Sequence, residues 1–376
     1  MISSTPVILL APNAFKGTLS AYSAAVAMAR GCKSAAPTLP VQILPVADGG
    51  NGMLDVLLHS AQNAFFTTHT VPGPVGSPVT ARLGWLSPTH AVVELAEASG
   101  IVHIEPTSRT SCIASTYGCG VLIAEACRRG AREILVGLGG SSSTDGGTGL
   151  LAALGARFCD VHGVPLPLGG AALEKLSFLD LTPARHLVHD VAITVAVDVD
   201  APLLGPHGAA AQFGPQKGAT PDDVSRLESA LSHFVSLLPE EERAFALIPG
   251  SGAAGGSGFG LALLGATLAP GAGLILNAIR FDDALEHTLL VITGEGSIDM
   301  TTLHGKAPYE VARRCNEHGI ACFGIGGRVS LDPAFSLFTG CVDCTEICHP
   351  HDPRTTPRRA LREAARRIVQ QVASLA

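Results

Sequence analysis

Five times along this 376-residue chain, an apolar run of strand character stops at a short loop of glycine and one or two polar side chains. The segments are Ala11-Pro-Asn-Ala-Phe-Lys16-Gly17, Pro45-Val-Ala-Asp48-Gly-Gly50, residues 137–147, Val197-Asp198-Val-Asp200 and Thr293-Gly-Glu295-Gly296. In open α/β sheets, ligands bind outside the carboxyl ends of the strands. One such loop is an ordinary turn before a capped helix. Five of them argue for one convergent site, and the helix-like stretches between them argue for a parallel sheet with helices on its faces.

The alternation can be followed along the chain. Residues 7–11 and 41–46 read as buried strands, each followed by a helix, over 20–33 and up to about residue 60. Three shorter β-like runs, 65–71, 79–86 and 91–95, then break the pattern with Pro/Gly turns between them. A helix over 116–129, a strand over 133–138, a helix over 148–154, a strand over 191–197 and a helix over 221–238 follow. Strand-like runs at 289–293 and 320–325 return to the N-terminal style, and no internal repeat is visible. The expected fold class is α/β, with two α/β domains. One is a Rossmann-like parallel sheet, the other an inserted mixed α/β domain, and neither is a P-loop fold. Residues 1–70 plus 285–376 are expected to form the discontinuous Rossmann-like domain. Residues 71–284 are expected to form the inserted domain.

Composition removes several function classes. Charged residues make up 15% of the chain and the hydrophobic set 47%, with a net charge of −7. Disorder needs low hydrophobicity and high net charge, the reverse of this balance. An acidic chain with one Trp and three Tyr offers no phosphate-neutralising patch and no stacking platform, so no nucleic-acid partner is expected. Residues 244–279 hold no charged side chain, but glycines and prolines interrupt them. The longest helical piece there, 259–268, is short of the roughly 20 residues that a membrane span needs, so no membrane partner is expected. The N-terminus has no basic n-region, which argues against a signal peptide. Most of the ten cysteines sit singly in apolar surroundings and read as small buried hydrophobes in a reducing cytoplasm. The group Cys341, Cys344, Cys348, His349 and His351 has a CxxC spacing that zinc can use, but no second pair follows. Arg358, Arg359, Arg362, Arg366 and Arg367 read as the solvated face of a C-terminal helix.

The richest loop is 137–149. Gly139, Gly140 and Gly146 let a backbone approach an anion closely. Ser141, Ser142, Ser143 and Thr144 add hydroxyls, and Asp145 a carboxylate. The helix starting near Thr148 is expected to aim its first amides at the loop. This composition suits phosphate, yet it is no Walker A, for GxxxxGK[ST] is absent. Gly250-Ser-Gly252-Ala-Ala-Gly255 matches GxGxxG, but the first acid downstream is Asp282, too far along to hold a ribose. A dehydrogenase reading thus loses its motif, and close packing is the simpler role. Lys16, Lys217 and Lys306 are cation candidates in glycine-flanked loops. Asp198, at a strand end, can hold Mg²⁺ through water or take a hydroxyl proton. His304 reads as a hydrogen-bonding loop histidine.

In this order the motifs resemble the bacterial type of glycerate kinase. The resemblance runs from about residue 7 to about 328. It rests on Ala11-Pro-Asn-Ala-Phe-Lys-Gly, Pro45-Val-Ala-Asp-Gly-Gly, Glu94-Leu-Ala-Glu-Ala-Ser-Gly100, Ser115-Thr-Tyr-Gly118, the 137–149 loop, Val197-Asp-Val-Asp with Pro202-Leu, Phe213-Gly-Pro-Gln-Lys-Gly218, Gly252-Ala-Ala-Gly-Gly256, Ile292-Thr-Gly-Glu-Gly296 and His304-Gly-Lys306. It implies a two-domain kinase that uses ATP and Mg²⁺ to phosphorylate D-glycerate, with 2-phosphoglycerate favoured over 3-phosphoglycerate. Phosphoryl transfer needs positioning and charge neutralisation more than covalent chemistry. On that reading Gly139, Gly140, Ser141, Ser142, Ser143, Asp145 and Gly146 hold the donor phosphates. Lys16 and Lys306 neutralise charge, Asp198 accepts the hydroxyl proton, and Asp48 or Glu295 holds Mg²⁺. Three positions depart from the family pattern: Asn51 and Ala201 stand where Glu and Asn are usual, and Ser297 where Arg is usual. They leave open a kinase for a related small hydroxy acid, or a catalytically weakened ligand-binding homologue.

Overall fold

The computed structural model describes residues 6–303, 305–330, 332, 337–347 and 356–374. The chain is α/β and forms two compact units. One comprises Met1–Asp48, Asp55–Ser60 and Gly271–Ala376, the other Gly49–Leu54 and Ala61–Pro270.

The first unit is built on a five-stranded, all-parallel sheet. Its strands lie in the order Gly340–Asp343, Ala321–Val329, Thr288–Ile298, Val7–Pro12 and Val41–Ile43. Parallel strands covered by helices on both faces read as unbroken apolar runs. Accordingly Ile8, Leu9, Leu10 and Ala11 are all fully buried, and Leu10 pairs with Ile292. The helix Ala21–Ala35 starts at Ser20, whose Oγ accepts a hydrogen bond from the Ser23 amide, a standard N-cap. It packs on the C-terminal helix Pro357–Ala373 through small residues, Ala24 and Ala25 on one side and Ala360, Ala364 and Ala365 on the other. The backbones come so close that a Cβ at Gly31 would lie 2.0 Å from the Arg362 carbonyl oxygen.

The second unit holds a six-stranded sheet in the order Thr267–Pro270, Ala192–Val197, Glu133–Gly137, His90–Glu94, Pro78–Ser87 and Phe65–Pro72. The first four strands are parallel, and the last two run antiparallel as a meander. Its core includes Val93, Leu122, Val136, Leu150 and Val195. Phe234 sits between Phe158 and Phe259, edge-on to both. The parallel strands end on one edge of the sheet, which places Glu94, the loop after Gly137, and Asp198 along that edge.

Several segments differ from the sequence reading: the strand expected over 41–46 ends at Ile43, and the one expected over 320–325 runs on to Val329. The helix expected over 259–268 stops at Ala262, and Thr267–Pro270 instead pairs as an edge strand with Ala192–Val197. The strand expected to end at residue 293 runs on to Ile298, because Glu295, Ser297 and Ile298 keep pairing with the neighbouring strand Ala321–Val329. Glu295 is therefore held on a strand and not in a loop. Among the described residues, no helix is long and apolar enough to cross a membrane.

Replacing a helix glycine by alanine ordinarily gains up to about 1 kcal/mol. At Gly31 the clash with Arg362 reverses the sign, since overpacking costs about 1–3 kcal/mol. Gly31→Ala is expected to lower the urea midpoint at unchanged m-value; an equal or higher midpoint would contradict the packing described.

Candidate active site

In the first unit, four sequence candidates come from strand ends and the turns beside them. The strand Val7–Pro12 delivers Asn13, whose Nδ2 donates to Asp48 Oδ2 at 2.9 Å; both side chains are buried. Asp48 is thus oriented by an amide three residues before Lys16, which is itself exposed. Glu295 is 6% exposed and accepts a hydrogen bond from Thr302 Oγ1 at 2.8 Å. Burial pushes its carboxyl above the ordinary range. The Lys306 charge and the Thr302 bond oppose that shift, the Asp48 charge adds to it, and Lys16 opposes it more weakly. Lys306 caps the helix Ala307–Glu317, and its Nζ donates to Thr301 Oγ1 at 2.7 Å. Lys16, Glu295 and Lys306 line a cavity of about 660 Å³, whose walls include Phe15, Ala360 and Leu361. Buried carboxylate oxygens beside two ammonium groups are a hard-oxygen donor set. They fit Mg²⁺ carried with a phosphate. Among the described residues, no cluster of three or more His, Cys, Asp or Glu is poised as a metal site, so such an ion would complete its shell with phosphate oxygens and water.

In the second unit, the loop after Glu133–Gly137 turns inward. Ser141 is 7% exposed, while Ser142, Ser143, Thr144 and Asp145 are fully buried. Only Gly139 and Gly140 reach solvent to a larger extent. Asp145 organises the segment. One carboxylate oxygen accepts from the Thr116 amide, Thr116 Oγ1 and the Gly149 amide, and the other from the Gly147 amide. Burial raises its carboxyl above the ordinary range, and those hydrogen bonds pull the other way. Two amides at the start of the helix Thr148–Ala153, which the sequence assigned to a bound anion, are therefore occupied by the chain's own carboxylate. Ser142 is committed as well, since its Oγ and amide both donate to the Ser99 carbonyl. Ser141 and Ser143 hydroxyls lie 3.0 Å apart, and Thr144 Oγ1 has no hydrogen-bond partner among the described residues.

Lys217 is buried beneath this loop and donates from Nζ to the Ser143 carbonyl at 2.5 Å. Desolvation brings its ammonium down to about 8, against the attraction of Asp145. From behind, the glycine turn of the GxGxxG match supports the loop. Gly255 has φ +66° and accepts the Gly146 amide, and a Cβ on it would lie 2.0 Å from the Ser143 carbonyl oxygen. Asp198 is half-buried directly after Ala192–Val197, while Asp200 is exposed.

Two residues inside the quoted motifs had no role in the sequence reading. Glu94 is buried, and its carboxylate caps the helix Met53–Ser60 by accepting the Gly52 and Leu54 amides. Asn13 holds Asp48. The signal for both was a polar residue at the carboxyl end of a buried strand. Of the departures, Asn51 lies against Gly140, where a Cβ would come 1.9 Å from its Oδ1. Ser297 Oγ donates to Asp299 Oδ2 at 2.9 Å. His304, Cys348, His349 and His351 lie outside the described residues; Cys341 is exposed and Cys344 buried.

Comparison with known proteins agrees with these motifs. Residues 8–376 match the model of the glycerate kinase family. A glycerate kinase of Bacillus subtilis is 40% identical over 348 residues, 89% of this chain and 91% of the relative. A glycerate 2-kinase of Escherichia coli K12 is 36% identical over 345 residues, 88% of this chain and 90% of the relative. A crystal structure from Salmonella typhimurium LT2, of a protein assigned as glycerate kinase 2, superposes with a TM-score of 0.82 at 33% identity, covering 99% of both chains.

Two outcomes follow from the loop's interior. Asp145→Asn turns an acceptor oxygen into an NH₂ that faces donors, which costs about 1–3 kcal/mol; an unchanged melting temperature would contradict the network. Lys217 contributes a pH slope. Between about pH 8 and 10.5 the unfolded chain keeps a proton that the folded chain has released. Over that window wild-type stability gains up to about 1.4 kcal/mol per pH unit relative to Lys217→Met. Parallel stability curves for the two proteins would rule this out.

Proposed function

The chain belongs to the glycerate kinase family and is a phosphotransferase, and on that premise we propose that it transfers the γ-phosphoryl group of ATP to a hydroxyl of D-glycerate, giving 2-phosphoglycerate in preference to 3-phosphoglycerate. The observation that carries the reading is the presence of Lys16, Asp48, Glu295 and Lys306 in one unit, with both lysines and Glu295 lining one cavity. The E. coli relative's name, glycerate 2-kinase, supports the choice of product.

Asp48 and Glu295 would hold Mg²⁺, with Asn13 and Thr302 keeping the two carboxylates oriented. Bound Mg²⁺ supplies charge neutralisation on the phosphates. Lys16 and Lys306 would neutralise the transferring group or the glycerate carboxylate. The rim of the 137–149 loop, Gly139, Gly140 and Ser141, would meet the donor phosphates. Ser142, Ser143, Asp145 and Gly146 would shape that rim from inside. Asp198 would accept the proton of the attacking hydroxyl. Buried free thiols such as Cys32, Cys119 and Cys315 suit a reducing compartment, so we place the protein in the cytoplasm.

A coupled assay with D-glycerate, ATP and Mg²⁺ tests the activity, and phosphorus NMR of the product gives the position. Asp198→Asn is expected to lower turnover about a hundredfold or more with the fold intact; near-normal turnover would remove Asp198 from this role. Asn51, lying against Gly140, favours one second reading, a kinase for a related small hydroxy acid. ATP consumption across a panel of such acids separates the two. Thermal stabilisation by ligand without ADP release would instead identify a binding homologue.

A further inference from the structure

Helices Ala21–Ala35 and Pro357–Ala373 touch closely at Gly31, and beside that contact lies a groove of about 440 Å³. Its lining holds four arginines, Arg30, Arg358, Arg359 and Arg362, together with Tyr22 and, among the described residues, no acidic side chain. This is an unusual concentration in a chain with 15% charged residues and a net charge of −7. The four-residue spacing of Arg358 and Arg362 places both on one helix face.

Like charges this close repel, and two further features raise the cost. Arg358 and Arg359 occupy the first turn after the Thr356 cap. That end of a helix carries the positive pole of its dipole and favours anions over cations. One turn further along, the same helix does neutralise its arginines, for Glu363 pairs with Arg366 at 2.6 Å and with Arg367 at 3.2 Å. The side chains of Arg30, Arg358 and Arg362, by contrast, make no ion pair or hydrogen bond with any described residue. The chain thus sustains three unneutralised guanidinium groups, at Arg30, Arg358 and Arg362, where it could have paired them.

We infer that this groove binds a small organic anion bearing two or more phosphoryl groups, at a site separate from the Lys16–Glu295–Lys306 cavity. Its volume falls in the range of small-ligand sites, about 300–1,000 Å³. Guanidinium forks match phosphate oxygens two at a time, which suits the unpaired Arg30, Arg358 and Arg362 to a polyphosphate better than to a monoanion. Tyr22, half-exposed and stacked on His59 at 5.2 Å, adds an aromatic wall. The two sites share no lining residue, but they share a helix. Pro357, Ala360 and Leu361 wall the cavity, while the arginines at 358, 359 and 362 wall the groove. An anion that fixes this first turn therefore bears on both.

The test is calorimetric titration of the full-length protein with inorganic tripolyphosphate at physiological salt, a readout that needs no turnover. Wild type is compared with Arg30→Ala/Arg362→Ala and with a control, Arg109→Ala/Arg129→Ala, that removes two surface arginines elsewhere. Thermal melts check that each variant is folded, and Arg30→Gln/Arg362→Gln replaces any that is not. The groove variant is expected to lose about tenfold or more in affinity for the tripolyphosphate, with the control within about twofold. Equal affinity in wild type and groove variant overturns the inference, as does the absence of saturable binding to wild type. So does binding of wild type to anionic phospholipid vesicles in place of tripolyphosphate, which would make the face a membrane surface.

Discussion

A single buried carboxylate sets the shape of the glycine-serine loop at the strand ends of the larger unit. Asp145 takes one donor from each of two helix-start amides and two from Thr116, nearly thirty residues earlier. A charge removed from water is tolerable only when its lone pairs are used. The loop has therefore little freedom to rearrange without losing several bonds together. Lys217 closes the inner side through the Ser143 carbonyl, and the turn at Gly255 closes the back. What this interior leaves at the rim is backbone of preset geometry. Preset dipoles cost no reorganisation when a charge arrives.

The smaller unit reaches the same end by a different route. Its acidic groups are held by the sheet itself, with Asp48 steadied by Asn13 and Glu295 carried on a strand that stays paired on past it. Desolvation raises Glu295 while Lys306 lowers it, so its protonation is balanced by the same neighbours that would meet a phosphate. With few charged residues to place, the chain puts several of them near strand ends and gathers others on one helix pair. Both placements create local potential that a more evenly charged surface would have averaged away.

Much of this was legible in the residues. The strand Val7–Pro12 was read to within one position and the helix Ala21–Ala35 to within two, because unbroken apolar runs and a serine cap are local signals. The α/β class followed from their alternation, and the family from the order of the glycine motifs. Thr267–Pro270 was not legible. Four residues after an apolar helix carry no strand signal of their own, and it is pairing with Ala192–Val197 that makes them one. The continuation of Thr288–Ile298 through two glycines is likewise a property of its neighbour strand, since glycine by itself argues for a break.

The sequence by itself determined the class of fold, the family, and, Glu295 apart, which polar residues would stand at the ends of strands, because each of these is written in spacing along the chain. Only the tertiary structure decided which of those groups are free to meet a ligand. The amides of Gly147 and Gly149 face inward to Asp145, the Ser142 hydroxyl is spent on the Ser99 carbonyl, and Gly139 and Gly140 remain as the rim. The physical reason is that a hydrogen-bond donor has many candidate partners in sequence and one in space. Thr116, Ser99 and Lys217 all act on the loop from far along the chain.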